Sequence, residues 1–194
     1  MAGLKPIHPV KVRKYLVPAS DATVMGIGDC VVKTGDSNDA VIKTGSGEYA
    51  IGALNECARA SSGDGNKITG VITAVDINPD DYRGAPYRKA STATVVTVTD
   101  DPEALFSVAC DGVLTVDSVG LNTNLVGSAG VNTATGEANV LADATAAADA
   151  SNQLLIVAMD RTHGNALTDA APKIIVKINQ HTEVPGSSGA LGIA

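Results

Sequence analysis

Glycines flanked by Asp, Asn, Ser or Thr recur about every ten residues along this chain, a cadence that leaves room for short strands and turns but not for long helices. The segments between the turns carry strand patterns. Residues 92–100 read TATVVTVTD, and such β-branched density fits a pleated surface. Further on, Phe106, Val108 and Cys110 alternate with Ser107, Ala109 and Asp111, which gives one buried and one more polar face. The only helix-friendly run, ADATAAADA at 142–150, lacks a large apolar stripe and supports a turn or two at most. The fold class expected is all-β, a β-barrel or β-sandwich with an extended N-terminal arm.

A core for such a fold must be built without aromatic bulk. There is no Trp, and Phe106 is the only phenylalanine among 194 residues, so Val, Ile, Leu, Ala and Met fill the interior, each burying less than an aromatic would. A chain of this length forms one domain or two small lobes and buries about 70% of its unfolded surface. Burial gained by oligomerising or docking would supplement that core.

Pro6, Pro9 and Pro18 disfavour helix in residues 1–20, which read as an extended arm ordered by a neighbour. The β domain is expected over 21–180, with possible lobes at 21–77 and 91–180, followed by a flexible Gly/Ser-rich tail at 181–194. Within it VVKTG at 31–35 recurs as VIKTG at 41–45, with Asp36, Ser37, Asn38 and Asp39 between, which reads as a β-hairpin. Strands are expected at 48–54 and 67–77 on either side of SSGDGN, whose Asp64-Gly65 is a strong turn signal. Both faces of KITGVITAVDI are apolar, as in a central strand or a subunit contact. Continuously apolar LLIVAMD at 154–160 and alternating KIIVKINQ at 173–180 complete the strands, while NPDDYRGAPYR at 78–88 reads as a projecting loop.

The net charge of −7 divides unevenly. The first twenty residues hold Lys5, Lys11, Arg13 and Lys14 with no acid, whereas the remainder sets ten basic against 21 acidic residues. An acidic body argues against nucleic-acid binding, which needs a basic face for phosphates. The basic arm is suited to docking on an acidic protein neighbour. Tyr82, Arg83, Tyr87 and Arg88 are the other contact candidates, because Tyr and Arg combine large contact area with directional hydrogen bonding. Three widely spaced cysteines suggest a reducing compartment, with Cys110 a small buried hydrophobe. No apolar run approaches the ~20 residues that cross a bilayer and no signal-peptide core precedes a cleavage site, so no membrane partner is expected.

Catalytic patterns are wanting. A nucleophile would need a base among His8, His163 and His181, yet these lie in the arm, in a polar turn and at a strand end, without a GxSxG elbow. No Cys/His spacing suits zinc, SSGDGNK lacks the Walker spacing, Gly26-Ile27-Gly28 lacks a third glycine, and no Asp-rich turn follows the EF-hand pattern. No catalytic, cofactor-binding or metal-ligating residue is nominated, and an enzyme is not expected.

One stretch carries a resemblance. Residues 101–126, DPEALFSVACDGVLTVDSVGLNTNLV, place Asp101-Pro102, Phe106 and Val108 ahead of a Gly120-Leu121-Asn122 turn, and KIIVKINQH follows at 173–181. Over roughly 92–181 this resembles the barrel region of head decoration (cement) proteins of tailed bacteriophages, where an Asp-Pro-x-x-x-Phe-x-Val strand leads into a short Gly-Leu-Asn turn. The resemblance implies a virion protein on the outer capsid surface, made and assembled in the host cytoplasm. Its partner would be the major capsid protein, and it would be a homo-oligomer with a trimer favoured over a dimer. The basic arm and the Tyr/Arg loop would then be the capsid or subunit contacts, and deletion of residues 1–20 would leave the β domain folded. The alternative is a carbohydrate- or surface-binding virion adhesin or tail module that recognises its target through residues 82–88.

Overall fold

The period-two patterns become two β layers. A computed structural model describes residues 3–8, 10–44, 47–76, 84–127 and 130–184, with only the backbone described for 36–44 and 47–53. Strands β2 (Val12–Val17), β3 (Cys30–Thr44), β4 (Gly47–Arg59), β5 (Gly70–Val75) and β6 (Thr94–Thr99) close a barrel in the order β2-β4-β3-β5-β6. Neighbours are antiparallel except β2 and β4, which pair in parallel with Leu16 opposite Glu56. Closure satisfies backbone groups that an open sheet would leave along its edges. Tyr15, Val17, Val31, Cys57, Ile72 and Val98 fill the barrel. At Gly70 a Cβ would fall 2.1 Å from the Thr99 carbonyl oxygen, so the close approach of β5 to β6 requires glycine.

A second sheet lies on the barrel flank. It comprises β1 (Lys5–Pro6), β7 (Leu105–Ala109), β8 (Asn122–Thr123), β11 (Leu154–Met159) and β12 (Lys173–Ile178), in the order β1-β7-β12-β11-β8, beside a ribbon of β9 (Leu125–Val126) and β10 (Leu141–Ala142). The expected alternation holds: Phe106, Val108, Ile174, Val176 and Ile178 face inward, and Phe106 is fully buried opposite Pro6 and Val176. Cys30, Ala60, Ile68 and Val71 of the barrel side join the same apolar cluster, which fuses the two layers. Gln153 reinforces the junction. Its buried amide donates to the carbonyls of Ser61 (2.8 Å) and Asn66 (3.1 Å) and accepts from the amides of Gly63 and Leu125, which fixes the SSGDGN turn against the second sheet.

The structure corrects four expectations. The described part of residues 1–20 is not an arm awaiting a neighbour: β1 pairs with β7, β2 is a barrel stave along the whole of β6, and Leu4, Tyr15, Leu16 and Val17 are buried. Pro6 itself sits in β1 opposite Phe106, and Pro18 follows the end of β2, so neither keeps the backbone from pairing. The expected turn at 36–39 is strand. Lys33 faces Cys57 and Ser37 faces Asn55, so the ladder resumes across a bulge where Gly35 takes φ +91°, the left-handed region open to glycine. The sheets divide near Asp100 rather than between 77 and 91, with β6 in the barrel. The segment after β12 is also held: His181 is buried beside Ile68, Thr182 donates its amide to the Ile68 carbonyl, and Thr182 and Thr69 hydroxyls lie 3.0 Å apart. Residues 185–194 of the expected tail lie outside the described residues. No described helix is long and apolar enough to cross a membrane.

Candidate functional site

Three of the four basic residues singled out in the N-terminal segment meet acids of their own domain. Lys5 Nζ lies 2.6 Å from Glu137 Oε1, and that hydrogen bond holds the Glu137 carboxyl below its ordinary range. Lys14 Nζ is 2.9 Å from Asp76, while Arg13 bridges Asp100 at 3.1 Å and Glu183 at 3.5 Å. Lys11 is exposed just ahead of β2. Exposed pairs of this kind contribute at most ~1 kcal/mol, but Asp100 is different. Its buried carboxylate also accepts the Tyr15 phenol at 2.9 Å, and burial, then the Asp100 hydrogen bond, raise that phenol's pKa. Glu183, which also reaches Lys33 at 3.4 Å, ties the chain segment after β12 to both β2 and β3. Lys5, Arg13 and Lys14 are thus engaged within the fold itself, which is more than the expected docking arm asked of them.

Arg88 is an interior hub rather than a contact residue. Its guanidinium donates to the carbonyls of Pro18 (2.9 Å), Asp21 (2.6 Å), Thr92 (3.0 Å) and Thr23, and its backbone exchanges two hydrogen bonds with Met25. Burial lowers its pKa, with the Asp21 carboxylate acting in the opposite direction. Only a planar group with five donors can satisfy so many converging carbonyls. The same chemistry makes Arg an interface residue, so its sequence context could not separate the two roles. Tyr87 is half-buried, and Tyr82 and Arg83 lie outside the described residues. Recognition through residues 82–88 therefore loses Arg88.

A cleft of about 400 Å³ opens between the layers, lined by Cys30, Arg59, Ala60, Ser62, Leu125 and Val140. Beside it the Arg59 Nε stands 3.1 Å from Asp29 Oδ1, and Asp29 Oδ2 accepts the Gly26 amide at 2.8 Å. Burial pushes the Asp29 carboxyl up to about 6, against the pull of Arg59 and Gly26. A carboxyl titrating there could serve as a general acid or base, but Asp29 is fully covered. Burial likewise pushes the Cys57 and Cys110 thiols up to about 12, and Cys30 higher, so no thiolate nucleophile lies at hand. His8 accepts the Leu105 amide, His163 sits in an exposed turn and His181 is buried, so the three histidines do not converge. Among the described residues no three His, Cys, Asp or Glu side chains form a metal-holding group.

A surface that offers contact without chemistry lies in the segment between β7 and β8, which sequence reasoning passed over. Leu114 and Ser118 turn inward, while Val113, Val116 and Val119 stand 56%, 79% and 40% exposed. The Thr115 and Ser118 side chains hydrogen-bond each other across a short 3-10 turn at Val116–Ser118, and Gly120, at φ +91°, donates its amide to Ile156. The signal that could have found it is the spacing of three valines at 113, 116 and 119 in a turn-rich loop that has no strand to bury them. Comparisons of the chain with protein-family models, with curated proteins and with solved structures find no match.

Proposed function

We propose that the protein is a structural, non-catalytic head decoration protein that binds the outer surface of a phage shell and stabilises it by bridging adjacent major capsid proteins. The observation that carries this reading is the division of labour within residues 101–126. The segment that resembles the cement-protein strand and turn sends Phe106 and Val108 into the core and leaves Val113, Val116 and Val119 in water. Apolar side chains grouped on one anchored loop are suited to being covered by a neighbour. An aromatic-poor core supports the same reading, since docking and homo-oligomerisation, with a trimer favoured over a dimer, add the burial that Val and Ala supply sparingly. The test is co-sedimentation of the purified protein with expanded, empty shells of its own virus. Saturable binding at a fixed number of copies per shell is expected, and absence of binding at any salt concentration would overturn the proposal.

A further inference from the structure

The exposed valines belong to a two-loop face of one charge sign. Hydrogen bonds zip residues 111–122 to residues 142–149: Asp111 donates its amide to the Ala142 carbonyl, Ala144 donates its amide to Asp111 Oδ1 at 2.8 Å, and the backbones of Asn122 and Ala147 exchange hydrogen bonds at 2.9 Å. The first loop is anchored by the Leu114 amide on the Leu167 carbonyl and by the Ile156 amide on the Leu121 carbonyl; Val157, 40% exposed, follows Ile156. Such anchoring fixes the ridge before any partner arrives, so little ordering entropy remains to be lost on binding.

Charge then narrows the partner. Between Lys89 and Arg161 the chain has nine acidic residues and no lysine, arginine or histidine. Three of the nine meet cations from elsewhere: Asp100 pairs with Arg13, Glu103 with Lys177 and Glu137 with Lys5. The four on the zipped loops do not. Asp111, Asp117 and Asp149 are exposed and Asp143 is half-buried, and none makes an ion pair among the described residues; Asp143 and Asp149 accept only local amides and hydroxyls. A preformed valine ridge rimmed by carboxylates is complementary to an apolar protein surface rimmed by lysine or arginine, and repels an acidic one.

We infer that Val113, Val116 and Val119, with Asp111 and Asp117 at their rim, form the docking face for a basic, apolar patch on the outer surface of the shell. This rests on the shell-binding reading and reverses the polarity expected from the sequence, since the acidic partner is this protein. Binding to expanded, empty shells of its own virus separates the two. Val113→Ser with Val116→Ser, both exposed and so neutral to folding, is expected to weaken binding about tenfold or more, the scale of a lost apolar anchor. Asp111→Asn with Asp117→Asn is expected to flatten the salt dependence of binding. Lys11→Gln with Lys14→Gln is expected to bind like wild type. Binding of both face variants at wild-type strength and salt dependence overturns the face and leaves the shell-binding reading intact, as does weakening confined to the lysine variant. Wild-type protein that binds no shell overturns both.

Discussion

The first twenty residues and the loop at 111–121 invert what their compositions suggest. The first is charged and proline-punctuated, yet two of its segments are strands and three of its four cations meet acids of the same domain. The second is short and has few charges, yet it holds three exposed valines on an anchored backbone. The difference teaches that a cation is free to meet a partner only if the fold has not already brought it an acid. A valine, which no single group can satisfy, reports its own exposure more directly.

The comparison breaks most visibly by truncation. Removing residues 1–20 takes away β1 and β2 with buried Leu4, Tyr15, Leu16 and Val17, opens the barrel and is expected to abolish the cooperative melting transition. A truncated protein with the full-length melting curve would restore the arm as a separate element. Next in size is Phe106→Ala, which removes the chain's one phenylalanine from a fully buried site opposite Pro6. A loss of about 3–5 kcal/mol is expected in chemical denaturation, out of the roughly 5–15 kcal/mol typical of a domain. A change below 1 kcal/mol would mean that the core between the two regions can collapse around the gap.

The segment after β12 forms a clasp on the barrel, with His181 beside Ile68 and Glu183 on Arg13 of β2, and this clasp carries a pH signature. Burial lowers the imidazole pKa, although Glu183 and Asp100 pull the other way, and its Nδ1 accepts the Glu183 amide at 3.0 Å. The unfolded chain therefore takes up its proton near the ordinary 6.5 while the folded one resists. Stability from this group is complete above that value and falls, by at most about 1.4 kcal/mol per pH unit, as acid is added down to the folded pKa. Asp29 acts oppositely: with its folded pKa raised to about 6, it stabilises the fold as pH falls from 6 toward 4. His181→Gln in an Asp29→Asn background should flatten the melting temperature between pH 6.5 and 5 relative to Asp29→Asn alone. Identical slopes would remove His181 from the clasp.

The smallest effects sharpen the comparison. Lys14→Gln, which breaks an exposed pair, and Val116→Ser, at the most exposed valine, should each shift stability by less than about 1 kcal/mol in denaturant titrations. A large loss from Val116→Ser would mean that the valine ridge is packed rather than offered.

By itself the sequence determined the all-β class, the inward faces of β7 and β12, the burial of Phe106 and Cys110, and the turn at Asp64-Gly65. These follow from period-two alternation and turn chemistry, which act between residues a few positions apart. Only the tertiary structure decided which strands close the barrel, that 36–39 continue β3 past a bulge at Gly35, that Arg88 turns inward, and that Lys5, Arg13 and Lys14 find acids. Those outcomes depend on partners far along the chain: Lys5 meets Glu137 across 132 positions and Lys14 meets Asp76 across 62. A local pattern carries no record of such distant neighbours, and where every candidate cation is chemically alike, proximity in the folded molecule alone selects the one that is left to face solvent.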